Sequence, residues 1–133
     1  MANALYGKSR QLFLEGSIAI LTNDIKLCFV DAAVYTPSID VHDFLNDIAS
    51  VIATSGNFAN KTSTLGVFDA DDVVVSSVSG SVFEYVVIYK DTGTPATSPL
   101  VALIDTATGL PFTPTGNNVT VAWDNGTNKI FKL

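Results

Sequence analysis

One histidine and one cysteine occur in these 133 residues, and together they cap the chemistry the chain can carry. A nucleophile and base pair needs a histidine or its equivalent, and the sole candidate is His42, between Val41 and Asp43. On a helical reading of that stretch it faces away from Phe44, toward the surface or an interface. Cys28 lies within the apolar run L-C-F-V, cannot form an internal disulfide, and is read as a small core residue. With one of each, the ligand count for a zinc site is not met within a single chain. Asp69, Asp71 and Asp72 resemble half a calcium loop, but the residues after Asp69 are A-D-D-V-V-V, without the required glycine or terminal glutamate. The cluster is therefore read as a turn whose carboxylates cap backbone N–H groups. No phosphate-binding glycine loop is present, and the 13 acidic residues offer no distinctive catalytic pair. Trp123 and four tyrosines leave sugar stacking as a looser option, although the alternation of Trp123 with Val119 and Val121 favours core packing. These residues predict no catalytic set, no cofactor and no metal.

The elements that would hold these residues are mostly strands. Leu5 with Leu12 and Tyr6 with Phe13 repeat at heptad spacing before Gly16, which predicts an N-terminal helix over 2–15. Residues 1–16 form either a lid on the chain's own core or an arm for a neighbouring subunit. Ser17–Leu21 and Ile25–Asp31 read as a hairpin. Val41, Phe44, Leu45 and Ile48 follow a helical template after Pro37, predicting a second short helix around 40–49. Beyond residue 50 the pattern is β: Val51–Thr54, a weaker edge strand over Phe58–Leu65, the V-V-V run after Asp72, Val82–Tyr89 and Leu100–Asp105. In Val82–Tyr89 strict alternation would place Val82, Glu84, Val86 and Ile88 on one face and Phe83, Tyr85, Val87 and Tyr89 on the other. Glu84, the only charge there, is read as solvated at a sheet edge or interface. Lys90–Pro99 is an exposed loop and Thr106–Asn118 an irregular crossing. Val119–Leu133, with Asn125–Gly126 between apolar runs, predicts a terminal hairpin in the core sheet. The expectation is a single β-rich domain over 1–133: an antiparallel sandwich or jelly-roll-like fold of about eight strands with two short helices. Cys28, Phe29, Val86, Trp123 and Phe131 are expected in its core.

Composition limits the partners. Hydrophobic residues make up 47% and charged residues 15%, against about 25% charged in ordinary soluble domains. An under-charged surface of this kind predicts cover by a partner. The formal charge of −6 repels nucleic acid and anionic membrane, and no apolar run approaches the length of a membrane span. The start M-A-N-A-L-Y-G-K has no charged segment leading into an unbroken apolar core, so synthesis is expected in the cytosol.

Longer motifs carry a resemblance. A-N-A-L-Y-G-K-x-R-Q-x-F-L-x-G-S-I at the front, G-V-F-D-A-D-D-V in the middle, and Y-K-D-T-G-T-x-A-T-S-P-L, I-D-T-A-T-G-L-P-F-T-P and V-A-W-D-N-G-T-N-K-I-F-K-L toward the end resemble small virion structural proteins of tailed bacteriophages. Some of these decorate or cement the capsid. The likeness is densest over the last 45 or so residues and loosest over Thr36–Asn60. It implies a non-enzymatic protein at the capsid surface, made in the host cytoplasm. Such a protein would bind and stabilise the major capsid protein shell, often as a homotrimer, without contacting nucleic acid or membrane. A tail or head-fibre component and a carbohydrate-binding β-sandwich are the alternatives. The expected interface comprises Leu5, Tyr6, Leu12 and Phe13 of the N-terminal segment, His42 and Phe44, and Thr94 and Pro95 of the polar loop.

Overall fold

A computed structural model describes residues 3–133. The fold is mainly β and antiparallel, with nine strands and one α-helix among the described residues. Three strands make its centre: β2 (Ile25–Val30), β6 (Tyr85–Lys90) and β7 (Leu100–Ile104). β2 and β6 pair from Ile25 opposite Lys90 to Val30 opposite Tyr85. β1 (Ala4–Leu5) and β3 (Val51–Thr54) flank them, giving the order β1-β7-β6-β2-β3. β2 itself is buried on both faces, which is why it reads as an almost unbroken apolar run instead of an alternating one.

One face carries Ile25, Leu27, Phe29, Val86 and Ile88 and packs against two short ribbons. These are β4 (Val67–Phe68) paired with β9 (Phe131–Lys132), and β5 (Val73–Val75) paired with β8 (Val119–Val121). The other face carries Cys28, Val30, Val87, Tyr89, Leu100 and Leu103, and is roofed by Tyr6, Tyr35 and Ile48. A bulge opposite Ile88 and Tyr89 leaves Val101 as the extra residue of β7. Its carbonyl accepts from the Tyr6 N–H at 3.0 Å and the Ser9 hydroxyl at 2.9 Å, so the irregularity anchors the start of α1 (Gly7–Leu14). A Cβ at Gly7, where α1 begins, would lie 2.7 Å from an Asp40 carboxylate oxygen and would require that exposed side chain to shift. Gly16, at φ +75, ends the helix.

Several expectations are corrected. The N-terminal helix begins at Gly7, because Ala4 and Leu5 are drawn into the sheet opposite Leu103 and Ala102. Ser17–Leu21 is not a strand: the Asn23 carboxamide accepts from the Ala19 N–H at 2.8 Å and folds the segment into a turn. The helix expected around 40–49 is absent. Instead Ile39–Val41 turn, Leu45–Asp47 form one 3₁₀ turn, and Val41 is 72% exposed. The Asp47 carboxylate takes the Asp43 and Phe44 N–H groups at 2.8 and 3.0 Å, while the Leu45 N–H goes to the Ser98 carbonyl. Donors that a helix would have used are thus spent on a side chain and a neighbouring loop. Phe58–Leu65 forms no strand and makes only an isolated bridge between Thr62 and Asp69.

The strand expected over Val82–Tyr89 starts at Tyr85. Phe83 leaves it to pair with Phe112, on the face of Val86 and Ile88 and not that of Val87. The terminal hairpin does not form either: β8 and β9 each pair with a different partner from the middle of the chain. Trp123 and Phe131, expected in the core, are only half-buried, whereas Cys28, Phe29 and Val86 are buried.

Candidate functional site

The sequence-predicted residues fall into two places. On the roofed face, Tyr6 is fully buried and therefore is not a surface contact, contrary to its expected interface role. Its hydroxyl lies 3.0 Å from that of Tyr35, which lies 2.9 Å from Nδ1 of half-buried His42. The Ser38 N–H also donates to Nδ1, at 3.2 Å, so this nitrogen is an acceptor and the ring proton sits on Nε2. The hydroxyl directions are then set: Tyr6 donates to Tyr35, and Tyr35 to His42.

Burial raises Tyr6, Tyr35 and Tyr89 above the usual phenol range and pushes the Cys28 thiol up to about 12. All four are neutral near pH 7, so the chain of hydroxyls works as hydrogen-bond structure. Beside it, Phe44 is half-buried, bridged to Pro99, with the Lys8 ammonium 5.8 Å from its ring centre. Thr94 and Pro95 are exposed. Pro95 opens a 3₁₀ turn, and the Thr94 carbonyl accepts from the Ser98 hydroxyl at 2.9 Å.

The second place is a cleft on the opposite face, with a volume of about 860 Å³. Leu5, Phe29, Val86, Trp123 and Phe131 all line it, which unites one expected interface residue with four expected core residues. Leu12 and Phe13 are half-buried against the same cluster, with the Phe13 ring 6.3 Å from that of Phe131. Its accessible floor is apolar, made by half-buried Leu5, Ile104, Leu110 and Phe112; beneath it the buried Phe29 stacks on Phe83 at 4.2 Å, and Phe83 on Phe112 at 5.3 Å. Charged residues lining it are Asp124, Lys129 and Lys132, and Lys129 is held by Asp69 at 3.4 Å. It is an open cleft whose lining is polar and apolar in similar measure.

The aspartate cluster lies outside the cleft but holds Trp123, which lines it. Asp72 accepts from the Trp123 N–H at 3.0 Å, the Asp71 carbonyl accepts from the Trp123 ring N–H at 3.1 Å, and the Asp71 carboxylate takes Asn60 at 2.6 Å. Among the described residues no group of three or more histidine, cysteine or acidic side chains is placed to hold a metal. Glu84 accepts the Ala32 N–H at 2.8 Å and fixes the turn after β2, a role that its position in an apolar strand did not disclose. Sequence reading also missed Tyr35, whose only local signal was its place ahead of Pro37, and the cleft, which has no periodicity to announce it. Compared with known proteins, the chain matches no family profile and no curated sequence.

Proposed function

We propose that this chain is a non-enzymatic structural protein of a tailed-bacteriophage virion, a decoration protein that binds the major capsid protein shell and stabilises it, most simply as a homotrimer. The terminal and central sequence motifs supply the virion context. The structural observation in favour is a set of large apolar side chains that the chain itself leaves in water. Leu65 is 92% exposed and is held at φ +54, a left-handed conformation that costs an apolar L-residue about 1 kcal/mol or more. Leu14 is 91% exposed at the end of α1. Large apolar side chains projected into water on a surface poor in charge suit contact with another protein. Repeated over many copies on a symmetric shell, modest contacts of this kind add up through avidity.

The test is to purify shells with and without this protein and heat them. Shells carrying it are expected to resist disruption at higher temperature; equal resistance would remove the proposal. Labelled protein found at the tail or at a fibre, instead of across the shell, would replace it with the corresponding virion part.

A further inference from the structure

We propose that the cleft is a strand-acceptor site, in which an extended segment of another protein, with alternating apolar side chains, pairs with the free edge of β8. β8 is bonded to β5 along one edge only. Among the described residues, no backbone group or side chain bonds to the backbone of Val119, Thr120 or Val121 from the other edge. That open edge faces the cleft, since every residue from Val119 to Asp124 lines it, and β1 and β7 form the wall across from it.

The chemistry of the walls selects the occupant. A small apolar molecule would cover the half-buried Leu5, Ile104, Leu110 and Phe112 floor, but would leave N–H and C=O groups of β8 unpaired against an apolar surface, an arrangement that costs free energy for each group. An extended backbone satisfies both at once: its ladder pairs with β8, and every second side chain drops onto the apolar floor. A second copy of this chain fits less well. Val119 of β8 is already buried in its own core, so β8 meeting β8 would close the two edges and leave both floors empty. Lys132, exposed at the rim and without an ion-pair partner among the described residues, favours a carboxylate at one end of the incoming segment. The cleft would take such a strand whether or not its donor is a shell protein.

The test uses the full chain and a short capped peptide of alternating valine and threonine ending in glutamate. Trp123, the only tryptophan and a wall of the cleft, reports binding by fluorescence, and amide exchange reports pairing at Val119–Val121. Binding is expected to shift Trp123 emission and to slow exchange on β8 by about tenfold or more. Methylating the peptide's valine nitrogens should abolish both effects, and Lys132→Glu should weaken binding several-fold while leaving the fold intact. Equal binding by the methylated peptide would overturn the proposal in favour of simple apolar filling. Amides already protected in a chain of doubled mass would overturn it in favour of a second copy. No response at about millimolar peptide would remove the site altogether.

Discussion

The two faces of the central sheet draw on the same three strands, β2, β6 and β7, yet one is sealed and the other is open. On the sealed face, Tyr6, Tyr35 and Ile48 close over Cys28, Val87 and Leu103, and the hydroxyls are joined into a chain that ends on His42. No buried side-chain N or O among the described residues lacks a partner. On the open face, β5–β8 and β4–β9 reach only part of the way across, and a cleft remains between them and the β1–β7 edge. The difference lies in what does the covering. The roof is made of loops that can bend until each donor finds an acceptor. The ribbons have their backbone geometry fixed by pairing and stop after two or three residues.

This contrast can be broken experimentally. The largest effect is expected from alkali, because four acids act together and all sit on the sealed face. In the folded chain the Cys28 thiol is pushed up to about 12 from an ordinary 9.0, and Tyr6, Tyr35 and Tyr89 are raised by burial. The unfolded chain ionises first, so their contribution is complete below about pH 9 and falls as pH rises toward about 12. Urea midpoints should decline steeply over that window, and a flat profile would mean the roof is not sealed. Next, Phe29→Ala removes a fully buried ring stacked between the layers and should cost about 3–5 kcal/mol by urea denaturation.

Tyr35→Phe should cost about 1–3 kcal/mol, since it strips a partner from both the Tyr6 hydroxyl and His42. Tyr6→Phe removes only one bond, at the end of the chain, and should cost about 1 kcal/mol; equal losses would show that the hydroxyls do not act in series. The smallest change is expected on the open side. Phe131→Leu, at a half-buried cleft position, should cost under about 1.5 kcal/mol. A loss matching that of Phe29→Ala would show that the cleft is closed in solution.

Legibility in the sequence followed the range of the forces involved. Val51–Thr54, most of Val82–Tyr89 and Leu100–Asp105 could be read because burial of a strand leaves a local apolar pattern. Gly16 could be read as a helix stop because a positive φ is a property of one residue. Position 40–49 misled because its helical spacing was real but its backbone donors had better partners in Asp47 and Ser98. Val119–Leu133 misled for a related reason. Its Asn-Gly turn chemistry is local and modest, whereas Val73–Val75 and Val67–Phe68 offered each arm a separate partner, and Asp71 and Asp72 held Trp123 between them.

By itself, then, the sequence determined the fold class, the central strands and the burial of Cys28, Phe29 and Val86. Period, propensity and turn chemistry act over a few residues, and that is all those features need. Tertiary structure alone decided which strands became neighbours, that Tyr6, Tyr35 and His42 form one chain, and that the ribbons leave a cleft with a free strand edge. Each of these depends on pairing between distant segments, where competing partners decide the outcome and no short stretch records it.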